Sequence, residues 1–405
     1  MLNPFKPLEL VKAEVFSSMP GKFRKKSRTS WSDPNRQHAE VECFLEGPAF
    51  DRNGNLYIVD TPFGRIFRID PKGEWDLVIQ YDGWPNGMKF HKDGRLYIAD
   101  YRKGILALDV RSAKLESILE TAYSEGFKGC NDLHFTSSGD LYFTDQGQTG
   151  IADPTGRLFR LRANGCLERL VTNVPSPNGV TVSTTEKHVY LGVTRSQQVW
   201  RLPLMHDMSF SKTGVAIQLS GGVGGPDGVE MDSENGILVC QLGVGVWRFD
   251  SNMLPTHLIH SADPKHHHLA NIAYGGADRK TARVLVFQIR GRAIRATARR
   301  INDAAAACAA RAAGAARDAS AACVAGSARA AGSACARARA ARGTAWAAGS
   351  GHRRSAERAR GAACRAAARR SAHLADARAS AAGKRAGTAR SVADRAGAIA
   401  ASAGE

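Results

Sequence analysis

Short apolar runs alternate with polar turns along the chain, and the alternation repeats at a regular interval. Each repeat begins with an oxygen-bearing side chain placed at the start of an apolar run, most often with Gly or Pro beside it. These repeated positions are Glu46, Asn86, Asn131, Asn178, Asp227 and Asn271. They lie 40 to 49 residues apart, and a period of roughly 40–50 residues is typical of propellers and solenoids.

Within one repeat, the apolar runs have the composition of β-strands. Residues 56–60, 96–100 and 141–145 read Leu-Tyr-Ile-Val-Asp, Leu-Tyr-Ile-Ala-Asp and Leu-Tyr-Phe-Thr-Asp. Runs that are short, rich in β-branched and aromatic residues and bounded by Gly, Asn or Asp are typical of strands joined by hairpins. Four such runs fit into one repeat, as in one propeller blade. The sequence therefore predicts an all-β protein, a six-bladed β-propeller with four-stranded blades.

The domain boundaries follow from where this pattern starts and stops. Residues 1–40 form an N-terminal segment, in which Ala13–Phe16 has strand character and is a candidate to tie the last blade. Residues 41–300 form the propeller. Residues 301–405 contain 46 Ala and 17 Arg and no strand pattern. We expect a disordered or irregular tail there, because it has too little apolar surface to offset its ordering entropy. Since the change of composition falls inside the sixth repeat, the completeness of the last blade stays open.

The basic charge of the chain is concentrated in this tail. The formal net charge of the chain is +18. Residues 1–281 carry 32 basic and 32 acidic side chains and are neutral, whereas residues 282–405 carry 24 basic and 6 acidic side chains. A basic tail is compatible with nucleic-acid binding, but its composition also fits out-of-frame translation of GC-rich DNA, which we favour. A nucleic-acid partner is therefore not expected.

Cysteine usage and hydropathy argue against several other classes of protein. The 8 cysteines form no CxxC pair, which disfavours a zinc or redox site, and free thiols fit a reducing compartment. No stretch approaches the roughly 18–20 apolar residues of a membrane span, and the N-terminus lacks the apolar core of a secretory signal. We expect a cytoplasmic protein without a membrane partner, and the oligomeric state is not predicted.

The repeated polar side chains predict a metal site. The innermost strands of a propeller line a central channel, so equivalent positions form a ring at one mouth. All six positions offer oxygen and two are carboxylates, which suits a hard cation, Ca²⁺ first, with Mg²⁺, Mn²⁺ or Zn²⁺ as alternatives. The glycine after most of them is expected to let the backbone turn tightly beneath the site. The alternative interpretation is that Asn-Gly and Asp-Gly mark only turns.

Several of these motifs resemble the SMP-30/gluconolactonase/LRE-like family, which includes gluconolactonase and regucalcin. The resemblance covers about residues 40–280. The motifs that carry it are Glu46-Gly47-Pro48, Asn131-Asp132, Ser176-Pro177-Asn178-Gly179, Gly225-Pro226-Asp227-Gly228 and Asn271-Ile272-Ala273-Tyr274-Gly275-Gly276. The resemblance implies a six-bladed propeller with a divalent metal in its channel. The metal ligands that it implies are Glu46, Asn131, Asn178 and Asp227.

The reaction implied by the resemblance is hydrolysis of a small-molecule lactone, in which the metal polarises the carbonyl and activates water. Asp227 is the candidate general base, with direct nucleophilic attack or a pure ligand role as alternatives. The candidate substrate-binding residues are Asn86, Asn271, Trp84 and His268. Core packing is the alternative for Trp84, and a place in a surface loop is the alternative for His268.

Other residues near these motifs qualify this interpretation. Gln146 and Gln148 lie in loops that are candidates to face the substrate, whereas Asp60, Asp100 and Asp145 end second strands and fit hydrogen bonding within hairpins better than catalysis. The position two before Asn131 is Gly129, where sugar-lactone members of the family carry an arginine, so the lactone is not defined. The alternatives to an enzyme are a non-catalytic propeller that binds metal or a partner, or a damaged, inactive copy.

Overall fold

The computed structural model describes residues 7–222, 224–261, 269–275, 281–285 and 292–295, the last two ranges as backbone only. The predicted tail 301–405 and the candidate His268 lie outside the described residues. Within the described part of the chain, no helix is long and apolar enough to cross a membrane. The secondary structure is almost entirely β, as the sequence predicts.

The first half of the chain supplies the N-terminal elements and three blades. The N-terminal elements are β1 (Glu9–Ser18) and α1 (Ser32–Arg36). Blade 1 consists of β2 (Leu45–Phe50), β3 (Leu56–Asp60), β4 (Arg65–Ile69) and β5 (Trp75–Gln80). Blade 2 consists of β6 (Pro85–Phe90), β7 (Leu96–Asp100), β8 (Gly104–Asp109) and β9 (Lys114–Leu119). A hairpin of β10 (Thr121–Ala122) and β11 (Glu125–Gly126) then leads into blade 3, which consists of β12 (Cys130–Phe135), β13 (Leu141–Asp145), β14 (Gly156–Leu161) and β15 (Leu167–Val174).

The second half of the described chain supplies two further blades and three more strands. Blade 4 consists of β16 (Pro177–Val182), β17 (His188–Val193), β18 (Gln198–Pro203) and β19 (Gly214–Gln218). Blade 5 consists of β20 (Pro226–Met231), β21 (Ile237–Gln241), β22 (Gly245–Phe249) and β23 (Pro255–Ser261). The remaining strands are β24 (Asn271–Gly275), β25 (Thr281–Leu285) and β26 (Arg292–Arg295).

The innermost strands lie side by side around a central channel. Strand β2 contacts β6, β6 contacts β12, β12 contacts β16, and β16 contacts β20. Strand β24 contacts both β20 and β2, and it pairs with β25 in a two-stranded sheet. The all-β propeller predicted from the sequence is thereby confirmed for five four-stranded blades, and β24 and β25 follow where the sixth repeat was expected.

The N-terminal strand is confirmed and is longer than the predicted Ala13–Phe16. The first half of β1 pairs in parallel with β23, the outer strand of blade 5, and its second half pairs antiparallel with β26. Ser17 also reaches blade 1, because its hydroxyl lies 2.7 Å from the carbonyl oxygen of Gly73 and accepts a 2.9 Å hydrogen bond from Trp75 Nε1. Strand β1 therefore joins the outer edges of blades 5 and 1.

Apolar side chains hold the blades together by packing between neighbouring sheets. Between blades 1 and 2, Val59 and Ile66 pack with Met88, Ile98 and Leu106, each at most 3% exposed. Fully burying such a side chain contributes about 1.5–3 kcal/mol. The described cysteines are free thiols, as predicted: Cys43, Cys130, Cys166 and Cys240.

Most glycines after the ring positions allow close strand packing rather than a tight turn. A Cβ on Gly179 would lie 2.5 Å from the backbone oxygen of Asp227, and one on Gly87 would lie 2.7 Å from Asp132 Cα. Glycine within a strand often marks such an approach of another backbone. Gly47 has a left-handed φ of +55°, so the expected turn geometry holds at this position, whereas at Gly87 and Gly179 that expectation is wrong.

Deep in the channel, polar side chains from the inner strands meet across the lumen. Lys89 on β6 forms an ion pair with Glu230 on β20, although these two strands are not neighbours in the ring. Burial opposes the charge of Lys89, but the carboxylates of Glu230 and Asp132 raise its pKa. His134 lies in the same region, with Nδ1 3.4 Å from Thr181 Oγ1. This cluster connects opposite sides of the propeller below the ring.

Substitution of Gly179 by alanine tests the packing role of these glycines. The added Cβ would meet backbone atoms of β20 at 2.5 Å, so we expect the free energy of unfolding to fall by about 1–3 kcal/mol in urea denaturation. Gly126→Ala is the matched control, since nothing lies within 4 Å of a Cβ at Gly126. Equal effects of the two substitutions would contradict the packing role.

A His134→Asn variant tests the burial of the channel histidine. Burial lowers the pKa of His134 to about 4, whereas an unfolded histidine titrates near 6.5. As the pH falls from about 6.5 to 4, the unfolded chain takes up a proton at this histidine and the native state does not. Because of this residue, the free energy of unfolding falls by up to about 1.4 kcal/mol per pH unit. We expect urea unfolding of His134→Asn to show a correspondingly flatter acid-side profile, and parallel profiles would refute the assignment.

Candidate metal centre in the propeller channel

The ring residues predicted from the sequence lie at equivalent places on the inner strands. Five are buried, between 5% and 8% exposed, and Asn86 is half-buried. On β2, β6, β12, β16 and β20, the pairing with the second strand shifts register at or directly after the ring residue. A β-bulge redirects a side chain and bends its strand. The repeated bulges therefore explain why these polar side chains depart from the usual alternation of successive side chains between the two faces of a strand.

The carboxyl groups of Glu46 and Asp227 come together although they belong to blades 1 and 5. Burial, and then the charge of Asp227, raises the pKa of Glu46 well above its usual value. Burial also raises the pKa of Asp227 to about 7, against a hydrogen bond from Asn178. Asn271 hydrogen bonds to Glu46 in the same way. The structure thus joins Glu46, Asn178, Asp227 and Asn271 in one buried cluster.

The donor set of this cluster fits a hard divalent cation. Among the described residues, no lysine or arginine forms an ion pair with Glu46 or Asp227, although the charge of Arg195 acts on Asp227. The burial of these two acids is costly unless a positive charge offsets it. Carboxylate and amide oxygens are ligands that Ca²⁺ and Mg²⁺ accept. Within the described ranges no group of three or more His, Cys, Asp or Glu side chains is placed to hold a metal, so a metal here would need the amides as ligands.

Asn131 is held in position by a short chain of hydrogen bonds. Its amide nitrogen donates to Gln146 Oε1 at 2.8 Å, and Gln146 Nε2 in turn donates to Ser176 Oγ at 2.9 Å. Because its nitrogen is engaged by Gln146, the side-chain oxygen of Asn131 is the atom available as a ligand. Gln146, expected from the sequence to lie near the substrate, therefore orients a ring residue.

Buried aspartates at the ends of the second strands fix the backbone that leads into the ring. Asp60 Oδ1 accepts a 2.8 Å hydrogen bond from the backbone N–H of Phe44, two residues before Glu46, and Asp60 Oδ2 binds Arg65. Asp145 makes the same pair of contacts, with the N–H of Gly129 at 2.8 Å and with Arg157. These hydrogen bonds agree with the structural role expected for Asp60 and Asp145.

Three residues that were not among the predicted site residues also lie close to the site. Asp132 is buried and adds its charge to the cluster, raising the pKa of both Glu46 and Asp227. It stands where blades 1, 2, 4 and 5 carry glycine, a difference that an alignment of the repeats would have revealed. Arg195 is exposed in the turn after β17, and its charge lowers the pKa of Asp227. Tyr101, directly after β7, contacts the loop before Asn131.

The remaining predicted residue of the mouth, Trp84, lies just before β6 and is half-buried. Its ring centroid is 5.8 Å from that of Tyr101, which places it beside the ring position Asn86. Its contact with substrate stays a prediction, as does that of Asn86. A separate cavity of about 500 Å³ lies between blades 4 and 5, lined by residues such as His188, Arg201 and Lys212, and includes none of the ring residues.

Comparisons with known proteins agree with this architecture. The chain is 29% identical over 249 residues to lactonase drp35 of Staphylococcus aureus, covering 56% of this chain and 73% of that protein. Lactonase drp35 of Staphylococcus haemolyticus is 29% identical over 240 residues, with the same coverage.

Solved structures show the same fold at low sequence identity. A gluconolactonase from Xanthomonas campestris is 17% identical, with a TM-score of 0.56, and the match covers 73% of this chain and 99% of that one. A calcium-binding protein, regucalcin, from Agrobacterium tumefaciens is 18% identical, with a TM-score of 0.56 and coverage of 72% and 97%. The family model for the SMP-30/gluconolactonase/LRE-like region matches residues 44–287, more than half of the chain. The chain therefore belongs to the SMP-30/gluconolactonase/LRE-like family.

Proposed function

We propose that this propeller hydrolyses a lactone with the help of a divalent cation, for which Ca²⁺ is the first candidate. The observation that carries the proposal is the pair of buried acids, Glu46 and Asp227, brought together at the channel mouth with amide side chains hydrogen-bonded to each. The names of the relatives, lactonase and gluconolactonase, support the substrate class. The description of regucalcin as calcium-binding supports the cation.

The residues of the ring take distinct roles in this proposal. Glu46, Asn131, Asn178 and Asp227 would hold the cation. When bound, it supplies polarisation of the ester carbonyl and a lowered pKa for water. Asn178 and Asn271 orient the carboxylates to which they hydrogen bond, and Gln146 orients Asn131. Asn86 and Trp84 would contact the substrate.

Asp227 is the proposed general base. A water molecule adds to the carbonyl carbon of the lactone while its proton passes to an Asp227 carboxylate oxygen. The C–O bond of the lactone ring then breaks, the departing alkoxide takes the proton back from Asp227, and a hydroxy acid results. The nearby amide of Asn178 hydrogen bonds to Asp227 and would hold that carboxylate in position.

The propeller that carries this site is proposed to be six-bladed and to span residues 41–300. Two observations support closure: β24 contacts both β20 and β2, and β1 pairs with β26 while Ser17 reaches blade 1. In this arrangement the N-terminal strand completes the outer edge of the sixth blade. The low-complexity tail 301–405 and a cytoplasmic location stay predictions from the sequence.

Removal of the cation tests the proposal directly. We expect excess chelator to abolish hydrolysis of a panel of five- and six-membered lactones, and added Ca²⁺ to restore it, because two buried acids without a cation cannot polarise a carbonyl. Turnover is followed by the acid released. A protein that binds Ca²⁺ by calorimetry but opens no lactone on the panel is a metal-binding propeller and not a lactonase.

An Asp227→Asn variant tests the proposed base. The amide cannot accept the proton of water, so we expect kcat to fall about 100-fold or more. Calorimetric titration gives the Ca²⁺ concentration that saturates the variant, and kcat is then measured at that concentration. If Asp227 is the base, kcat stays low at saturating Ca²⁺. If Asp227 is only a ligand, saturating Ca²⁺ restores turnover. Asp207→Asn, at an exposed position in the loop between the two outer strands of blade 4, is the matched control and should match the wild type. Undiminished kcat in Asp227→Asn would exclude Asp227 as the base.

A further inference from the structure

We propose that a cavity between blades 4 and 5, on the face of the propeller opposite the ring, binds a small phosphate monoester through Arg201 and Lys212. The cavity has a volume of about 500 Å³. Protein sites for small organic ligands measure roughly 300–1,000 Å³, so the cavity has a suitable size. Its lining contains none of the residues of the candidate metal centre, and the proposal is therefore independent of the proposed function.

The directions of the strands place this cavity at the end of the blades away from the ring. The ring residues lie at the starts of the inner strands, so the turns after those strands lie on the opposite face. Asn235 lies in the turn that joins β20 to β21, and Ser251–Met253 lie in the turn that joins β22 to β23. His188 is the first residue of β17, directly after the turn that follows β16. All of these residues line the cavity.

The guanidinium of Arg201 is held in the cavity by neutral partners. Arg201 lies on β18, where it pairs with Tyr190 on β17 and with Gly214 on β19. It donates to His188 Nε2 at 2.6 Å, and the Tyr190 side chain is a further hydrogen-bond partner. Burial and the charges of Arg201 and Lys187 lower the pKa of His188, so the imidazole accepts in its neutral form. Since a guanidinium has five N–H donors, donors of Arg201 stay available for an anion.

No carboxylate of the described lining balances the positive charge of the cavity. Lys212, in the loop between β18 and β19, is the second cation, and none of the described lining residues is acidic. Within the described ranges, neither Arg201 nor Lys212 forms an ion pair with Asp or Glu.

The acids on the neighbouring turns are engaged with other groups. Asp232 and Glu234 both accept hydrogen bonds from Arg248, at 2.8 Å each. Asp250 Oδ1 accepts from the backbone N–H groups of Asn252 and Leu254, at 2.8 and 3.0 Å. These acids are therefore committed to the local structure of blade 5, and the cavity keeps its excess of positive charge.

The charge and the polarity of the lining match a phosphate monoester with an apolar body. Such an ester carries about −1.5 to −2 charges at pH 7, which the two cations complement, and a guanidinium binds phosphate through two parallel hydrogen bonds. Asn235 offers a further donor, because its Oδ1 accepts from the N–H of Thr184 at 3.2 Å and its Nδ2 stays available. The apolar part of the lining includes Val215, Ala216 and Met253, and Val215 is 52% exposed. This part would cover the body of the ester.

The test is calorimetric titration of the whole chain with phenyl phosphate, inorganic phosphate, phenol and terephthalate. We expect phenyl phosphate to bind most tightly, because it combines the phosphate group with an apolar ring. Arg201→Gln should raise its Kd about tenfold or more, and Lys212→Gln, at an exposed position, should act in the same direction. Arg111→Gln is the matched control, since the Arg111 side chain is 93% exposed and follows β8 in blade 2. The arginines of residues 301–405 are present in every variant and contribute equally.

A Gly214→Leu variant distinguishes a cavity from a merely charged surface. Gly214 lies opposite Arg201 and lines the cavity. The nearest atom to an added Cβ is the backbone oxygen of Lys212, at 4.0 Å, so a leucine fits without a clash and occupies part of the cavity. We expect the Kd for phenyl phosphate to rise about tenfold although both cations are kept. Gly126→Leu is the matched control, because nothing lies within 4 Å of a Cβ at Gly126.

Several results would overturn the proposal. They are no measurable binding of phenyl phosphate, tighter binding of terephthalate, equal losses in Arg201→Gln and Arg111→Gln, and undiminished binding in Gly214→Leu. Asp227→Asn should leave the Kd for phenyl phosphate unchanged, and a loss in this variant would instead assign the anion to the ring. Circular dichroism melting shows whether each variant is folded, and Lys212→Gln decides the outcome if Arg201→Gln is not.

Discussion

The backbones of the inner strands approach one another so closely that a Cβ cannot be accommodated at several points, and this approach governs the rest of the structure. Gly87, Gly179 and Gly228 occupy such points, each against the inner strand of the following blade. The residues beside these glycines must then share a small volume near the axis. Glu46 and Asp227 are buried there together, so the electrostatic cost of the site is a consequence of backbone packing. The proposed divalent cation would offset this cost.

Two structural features that recur in several blades, strand bulges and buried aspartates, shape the site within this packing. Five inner strands carry a bulge at the ring position or directly after it. Aspartates at the ends of two second strands fix the backbone two residues before a ring position, at Phe44 and at Gly129. Each aspartate is balanced by an arginine of the third strand, Arg65 or Arg157. The geometry at the mouth is therefore set by hydrogen bonds within each blade as well as by contacts between blades.

The parts of this structure that were predictable from the sequence are those encoded locally. Strand-forming runs and a polar residue at each interval of 40 to 49 positions predicted the blades and the ring, because both depend on patterns within one repeat. The ion pair of Lys89 with Glu230 joins residues 141 positions apart, and nothing in either repeat indicates the partner. The contact of Tyr101 with Gly129 depends on the backbone φ angle of Gly129. The glycines of the ring were misread because Asn-Gly signals a turn locally, whereas the neighbouring blade decides what that glycine does.

The ion pair between Lys89 and Glu230 also lies across the path through the channel. It links two non-adjacent inner strands across the lumen, and both side chains keep some contact with solvent, 24% and 12% exposed. Water therefore reaches this depth, but an organic molecule would have to separate the two charges to pass. In the proposed reaction, reactant and product would therefore share the opening on the side of the ring, and each product molecule would have to leave before the next reactant could enter.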